Sequence, residues 1–374
     1  MRILHLIDSD GVYGAERILL YLAREQQRRG STPLVGSIRP PGSPTTGFEQ
    51  LAISWGLPVV PIRIRSALTP AVVRSLLCTI RRVRPHVLHS HGYKANILLG
   101  PLPRRVRGSM LTTLHGWSAN RTMTALGLKE RLDGWALRRI DAVVVVTRQM
   151  LELRALRKLS RDRIQVIENG IPPLRERLAD MTAAGVAAVP AVFVEFMKQA
   201  PTFVAIGRLS PEKGFLLLLE AFATANTRNG GLHRLLIVGE GPERPKLERR
   251  IEDLGLRQNA HLAGFVEGAD RFLEHAAGFV MSSYTEGMPL VLLEAMQWES
   301  PILATDVGGI PEILHGCSRA TLVPPRDMAA YADAFGELMA SRSAGAAIGR
   351  SFGTEAYSAA HMDEEYMRAY QRII

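Results

Sequence analysis

Two doubly wound α/β domains in a single chain are what this sequence predicts, and three observations carry that expectation. Its 374 residues exceed the size at which one hydrophobic core usually keeps growing. Short apolar runs without polar alternation recur between helix-period segments, as strands do in a parallel sheet covered on both faces. That rhythm stops after Asn169-Gly170-Ile171-Pro172-Pro173, passes through a Pro- and Ala-rich stretch to about Pro201, and then restarts.

The first half opens with a strand at Ile3–Ile7, a turn containing Gly11 and Gly14, and a helix with Ile18, Leu19 and Leu22 on one face that ends at Gly30. Apolar runs follow at Val59–Ile62, Val87–His89, Met110–Leu114, Ala142–Thr147 and Ile164–Ile167, with a helical stretch at Ala71–Arg84. The stretch to Pro201 reads as a hinge. Beyond it the expected strands are Phe203–Ile206, Leu235–Val238, His261–Ala263, Phe279–Ser282, Ile302–Ala304 and Thr321–Val323. Helices are expected at Phe215–Ala225, from about Glu243, at Leu290–Trp298 and at Asp327–Ser341. A last amphipathic helix is expected from about Glu355 to Arg372.

Charge is unevenly placed. To Gly170 there are 27 Lys and Arg against 11 Asp and Glu, whereas the remainder has 19 against 25. The first half is therefore suited to an anionic partner: a phosphorylated acceptor, an anionic membrane surface or nucleic acid. Sparse aromatics and the lack of a nucleic-acid motif place nucleic acid last. Cys78 and Cys317, one in each half, argue against a disulfide framework and suit a cytoplasmic protein. The N-terminal apolar run, broken by Arg2 and His5 and stopped by Asp8, is too short for a secretory core. No apolar stretch reaches the roughly 18 residues needed to span a bilayer.

Gly207-Arg208-Leu209-Ser210-Pro211-Glu212-Lys213-Gly214 lies directly after a strand and before a helix. Ligands gather beyond the carboxyl ends of such strands, where helix N-termini offer free N–H groups to anions. Arg208 is able to grip a phosphate with two hydrogen bonds, and Lys213 adds a compact positive charge. A second segment, Thr285-Glu286-Gly287-Met288-Pro289-Leu290 and onward to Met296, places Pro289 in the first turn of a helix. Its glutamates Glu286 and Glu294 are eight residues apart, on the order of 10 Å along a helix, against the roughly 5 Å of a retaining glycosidase pair. They read as grips on two ends of one extended ligand.

Taken together, these motifs resemble the retaining family 4 glycosyltransferases of the GT-B fold, from about Met1 to Glu312. The resemblance is carried by Gly14-Ala15-Glu16-Arg17, His91-Gly92, His115-Gly116, Glu168-Asn169-Gly170-Ile171, the Gly207–Gly214 segment, Val238-Gly239-Glu240-Gly241-Pro242, the Glu286 and Glu294 pair, and Asp306-Val307-Gly308-Gly309-Ile310-Pro311-Glu312. It implies two Rossmann-like domains facing across a cleft. Residues 1–175, rejoined by a C-terminal helix at 355–374, would bind the acceptor, and residues 176–354 the nucleotide-sugar donor. Arg208 and Lys213 would contact the donor diphosphate, Glu286 hydroxyls of the transferred sugar, and Glu294 the ribose. Gly14, Gly239, Gly287, Met288, Pro289 and Leu290 complete the donor side. His115 would line the reaction centre, and Tyr13, Glu16, His91 and Asn169 are the acceptor-side candidates.

The activity so implied is transfer of a sugar, from a UDP-sugar above other donors, to a glycan or lipid-diphosphate-linked acceptor in bacterial polysaccharide or glycolipid synthesis. The anomeric configuration would be retained, and no metal or other cofactor is expected. Breaking the sugar–phosphate bond leaves negative charge on the departing diphosphate, and fixed cations stabilise it as an oxyanion hole does. The rival readings are a sugar-nucleotide epimerase of the same architecture, a non-catalytic subunit retaining the fold, and a nicotinamide oxidoreductase. The last lacks the third glycine of the dinucleotide turn after Gly11-Val12-Tyr13-Gly14.

Other features have plainer readings. Asp8-Ser9-Asp10 spells a metal-binding aspartate pair but sits at the end of a first strand. His89 and His91 share a strand face as zinc ligands do, yet no further ligand is identifiable. Tyr13 stands where the family has the first glycine of a Gly-Gly pair. Glu299 stands where it has a helix-ending glycine, which calls for a left-handed glutamate at a cost of about 1 kcal/mol. Arg81-Arg82-Val83-Arg84 and Arg104-Arg105-Val106-Arg107, with Val73, Leu76, Leu77 and Ile80 on one helix face, would either rest on anionic lipid or pack inward beneath solvated arginines.

Overall fold

The computed structural model describes residues 1–8, 11–64, 69–116, 125–183, 185–186, 188–341 and 355–374. Ser9 and Asp10 of the aspartate pair lie outside them. Two compact units form: Met1–Pro172 with Glu355–Ile374, and Pro173–Thr354.

In the first unit the elements run β1 (Arg2–Ile7), α1 (Gly14–Arg28), β2 (Thr32–Arg39), α2 (Gly47–Ser54), β3 (Val59–Arg63), α3 (Pro70–Val83), β4 (Val87–Ser90), α4 (Tyr93–Leu99), α5 (Arg104–Arg107), β5 (Ser109–Leu114), α6 (Ala125–Leu137), β6 (Ala142–Val145) and β7 (Ile164–Val166). All seven strands are parallel, in the order β3-β2-β1-β4-β5-β6-β7. Order reverses between β1 and β4, so the loops that follow these two strands flank the crevice where such sheets take ligands. Strand β2 was not anticipated. Pro33, Gly36 and Ser37 interrupt its apolar run, yet Val35 and Ile38 are fully buried.

The second unit runs α7 (Leu174–Ala183), α8 (Ala191–Lys198), β8 (Thr202–Ile206), α9 (Phe215–Arg228), β9 (Arg234–Val238), α10 (Arg244–Asp253), β10 (Ala260–Gly264), β11 (Gly278–Met281), α11 (Leu290–Gln297), β12 (Ile302–Thr305), α12 (Ile310–Ile313), β13 (Ala320–Val323) and α13 (Met328–Ser341). Its six parallel strands are ordered β10-β9-β8-β11-β12-β13, with the reversal between β8 and β11. The core between this sheet and α9 and α13 is built from Leu218, Phe222, Leu235, Ile237, Leu303 and Phe335, all fully buried. The stretch taken for a hinge is not an irregular connection, because two of these helices, α7 and α8, occupy it. Alanines and long side chains in Leu174–Ala183 favour helix, and Pro190 stands just outside α8, where it breaks nothing.

The last helix, α14 (Ala359–Ile373), belongs to the first unit and starts four residues later than expected, where the Ser358 hydroxyl accepts from the His361 backbone N–H at 3.1 Å. The returning chain crosses Ile171, which donates its N–H to Tyr357 O at 2.9 Å and accepts from Ala359 N at 3.0 Å. Gly170 is required by this crossing, since a Cβ there would stand 2.2 Å from the Ser358 carbonyl oxygen. Asn169, an acceptor-side candidate, is buried beside it.

Two surface expectations change. Val72, Leu76 and Ile80 of α3 are buried, with Val73 and Leu77 half-buried, so the helix's apolar face packs inward while Arg81, Arg82 and Arg84 are exposed. Arg107 is no surface cation: it is 2% exposed and pairs with Asp141 at 2.8 Å. Among the described residues no helix is long and apolar enough to cross a membrane.

Glu299 adopts φ 52° after α11, donating its N–H to Met296 O at 3.0 Å while Ser300 N–H bonds Ala295 O at 3.1 Å. This is a Schellman ending carried by a residue with a Cβ. Glu299→Gly relieves the left-handed penalty, partly offset by the greater freedom of glycine in the unfolded chain, for a net gain of about 0.5–1 kcal/mol. A higher urea midpoint is expected, and a lower one contradicts it.

Helix α14 also covers a group of histidines. Burial holds His5 and His115 at about 4 and His89 and His91 well below 6.5. Unfolded imidazoles take up a proton near 6.5, whereas His5 and His115 do so only near 4 and His89 and His91 well below 6.5, so the unfolded chain binds more protons over that window. Stability is thus full above pH 6.5 and falls as pH drops toward 4. Asp363, pushed up to about 6 by burial, acts oppositely but is one group against four. The urea midpoint is expected to fall steadily from pH 7 to pH 5, and a flat profile contradicts this.

Candidate active site

The Gly207–Gly214 loop and the Ser282–Pro289 loop leave β8 and β11, the two strands at which the second sheet reverses. They are tied together at several points. Tyr284 N–H donates to Glu212 O at 2.7 Å, and the Ser282 hydroxyl donates to Lys213 O at 2.9 Å. Lys213 Nζ lies 2.6 Å from Glu286 Oε1, which also accepts from the Ser283 hydroxyl at 2.6 Å. Ser283 is held in turn by the Thr305 hydroxyl of β12, which donates to its carbonyl at 2.5 Å. Arg208 is exposed on the same loop.

Such close contact between loops depends on missing side chains. A Cβ at Gly214 (φ 65°) would stand 2.2 Å from Ser282 O, one at Gly239 (φ 148°) 1.9 Å from Gly207 O, and one at Gly308 (φ 58°) 2.0 Å from Glu286 O. Gly287 accepts from Gly309 N–H at 2.9 Å, Pro289 sits at the N-cap of α11, and Met288 and Leu290 are buried beneath the loop. The glycines of these motifs therefore stack the loops after β8, β9, β11 and β12 upon one another. The arrangement fixes a lysine–glutamate pair at the carboxyl end of the sheet and leaves an arginine exposed near it.

Glu294, which the spacing reads as a grip on one end of an extended ligand, is buried in an ion-pair cluster. It is 4% exposed, and its Oε1 lies 3.6 Å from Nη1 of Arg177, whose guanidinium also meets Asp270 Oδ2 at 2.5 Å and donates from Nε to Gln297 Oε1 at 3.1 Å. Sequence reasoning missed Arg177 because it lies in α7, inside the stretch read as a hinge. A buried cation facing two carboxylates holds α7 to α11, and removal of the arginine leaves both carboxylates uncompensated.

In the first unit, Gly14 opens α1, and a Cβ there would meet nothing within 4 Å. Tyr13 is 57% exposed at the N-cap, with its ring folded over Gly11. Glu16 is buried and accepts the Tyr13 backbone N–H at 3.0 Å, so its carboxylate caps the helix. Asp8 pairs with Lys94 at 3.1 Å.

His91 and His115 belong to a larger assembly. Register places His5 of β1 opposite His89 of β4, and His91 follows on the same face. His5 Nε2 is 2.8 Å from Gln26 Oε1, His5 Nδ1 is 3.0 Å from His91 Nε2, and His91 Nδ1 is 2.9 Å from His115 Nε2. His89 lies beside this line, 2.7 Å from the Tyr370 hydroxyl and 2.8 Å from that of Thr113, which also meets Tyr366 at 2.8 Å. One ring nitrogen from each of His5, His89 and His91 falls within 4.8 Å of the others, a spacing that suits a metal ion. All six ring nitrogens of these three residues already have hydrogen-bond partners, so a metal would have to displace them. His5 and Gln26 were not among the expected site residues; the pairing of β1 with β4 brings His5 to His91, and Gln26 reaches His5 from α1.

The comparisons with known proteins fit this architecture. Residues 12–175 match the model for Glycosyltransferase Family 4, and residues 200–341 that for Glycosyl transferases group 1. The chain is 27% identical over 359 residues to the 2-deoxystreptamine N-acetyl-D-glucosaminyltransferase of Streptomyces fradiae, covering 88% of this chain and 83% of that one. It is 34% identical over 109 residues to an uncharacterized glycosyltransferase of Methanocaldococcus jannaschii, spanning only 29% of this chain and 27% of that protein. Among solved structures it resembles Anabaena HepE in complex with UDP and glucose, with a TM-score of 0.77 at 18% identity over the whole of both chains. Two family domains in succession, on two reversing parallel sheets, make this chain a member of the family 4, group 1 glycosyltransferases with the GT-B fold.

Proposed function

We propose that the protein is a retaining hexosyltransferase that moves a sugar from a nucleotide diphosphate donor, a UDP-sugar above others, to a glycan or lipid-diphosphate-linked acceptor. The second unit binds the donor and the first binds the acceptor. The observation that carries this reading is the pairing of Lys213 with Glu286 at the sheet's reversal point, on loops stacked through glycines. A fixed cation there meets charge developing on the departing diphosphate, while the adjacent carboxylate accepts hydrogen bonds from sugar hydroxyls. Arg208, exposed on the same loop, supplies a second cation. The UDP held by HepE and the aminosugar transfer named for the Streptomyces relative support a nucleotide-sugar donor.

In this reading neither metal nor cofactor is needed, because Arg208 and Lys213 supply the positive charge. His115 lines the reaction centre, and Tyr13 and Asn169 border the acceptor. The leaving phosphate assists deprotonation of the acceptor on the face from which it departs, and the configuration is retained. The protein works in the cytoplasm, where exposed Arg81, Arg82, Arg84 and Arg105 attract a phosphorylated acceptor or the anionic surface that carries it.

Binding and turnover across UDP-, GDP- and ADP-sugars in the presence of EDTA test this directly. One donor is expected to bind selectively, unaffected by EDTA. Arg208→Ala is expected to weaken binding about 10- to 100-fold through loss of charge-assisted hydrogen bonds. Glu286→Gln is expected to lower turnover about a hundredfold. Failure of every nucleotide sugar to bind, or loss of activity with EDTA, overturns the metal-free transferase.

A further inference from the structure

The line of side chains from Gln26 to His115 has a direction. Gln26 presents Oε1 to His5, because its Nε2 is turned toward the Asp363 carboxylate and the Tyr370 hydroxyl. An amide oxygen only accepts, so His5 carries its proton on Nε2 and offers a lone pair at Nδ1. His91 must then donate from Nε2 and accept at Nδ1, and His115 must donate from Nε2 to His91. Each neutral ring forwards the polarity of the one before it. The line ends at His115 Nδ1, which is buried and has no hydrogen-bond partner among the described residues.

We infer that Gln26, His5 and His91 are positioning residues that lock His115 in the Nε2–H tautomer, so that its Nδ1 is a hydrogen-bond acceptor reserved for a hydroxyl of the bound substrate. This rests on the reading of His115 as part of the reaction centre. The ligand chemistry follows from the polarity: a sugar hydroxyl donates to Nδ1, whereas a phosphate or carbonyl oxygen meets a lone pair and is repelled. A single ring in water exchanges between both tautomers and makes no such distinction. Burial supports the lock, since it keeps all three imidazoles neutral at neutral pH and a doubly protonated ring would break the line. The neighbouring His89 does not interrupt it, because both its nitrogens are engaged by Tyr370 and Thr113.

The test is a long-range 15N–1H correlation spectrum of imidazole nitrogens in the full chain labelled at its 10 histidines, recorded at pH 7.5 without substrate. His115 is assigned by the signals lost in His115→Gln. In the wild type, His115 is expected to show a protonated Nε2 and an unprotonated Nδ1. Gln26→Leu is expected to release the lock and shift His115 toward a mixture of tautomers. A proton on His115 Nδ1 in the wild type overturns the inference even if Gln26→Leu does not fold, as does an unchanged His115 pattern in a folded Gln26→Leu. The spectrum needs no donor or acceptor, so a failed donor-binding panel leaves it readable. A locked tautomer in a protein that binds no nucleotide sugar sinks the functional reading alone.

Discussion

The passage of the Ser358 carbonyl over Gly170 is the contact on which the first unit's chemistry depends. It lets the chain return after its long excursion through the second unit and start α14 where Tyr366 and Tyr370 cover the histidines. Without that cover the imidazoles would face water, take up protons near neutrality and lose the fixed direction of their hydrogen bonds. A glycine at a chain crossing thus determines the protonation of residues far from it in sequence. The effect runs from backbone clearance to burial, and from burial to charge state.

The second unit solves the complementary problem of holding charge at a site rather than excluding it. Its cations sit on loops, which are ordinarily the mobile part of a fold. Here each loop is pressed against a neighbour through a glycine, and Lys213 is held by a carboxylate itself fixed by Ser283 and Thr305. Arg177 extends the same logic inward by fixing Glu294 from beneath with a buried ion pair. Removal of Arg177 costs about 3–5 kcal/mol because the carboxylates it faces stay buried. Geometry at the strand ends therefore rests on buried electrostatics as much as on apolar packing.

Much of this was readable in the sequence, and each exception has a physical cause. The central strands of both sheets and the motif loops announce themselves as local patterns, and the left-handed Glu299 followed from the resemblance, since it stands where the family has a helix-ending glycine. Strand β2 was hidden because Pro33, Gly36 and Ser37 dilute its apolar run, and α7 and α8 because prolines beside them mimic a linker. Arg107 looked like one of a surface cluster, and only its pairing with Asp141 removes it from the surface. The partners of His91 were invisible for a deeper reason. His5 and His89 are 84 residues apart, and nothing but the register of two parallel strands makes them neighbours.

The second unit's loops hold fixed cations while the first unit buries a line of neutral imidazoles, and the proposed reaction has a use for each. Charge that develops on a leaving diphosphate calls for cations already in place, since reorganising water at that moment raises the barrier. A sugar hydroxyl calls for a neutral acceptor, because an imidazolium has two donors and no lone pair to offer it. Were His115 cationic, it would attract an anion and have no lone pair left for a hydroxyl. Burial of the histidine line avoids this outcome. Within the first unit, desolvation thus keeps a neutral lone pair at His115 Nδ1 where a charged ring would offer none.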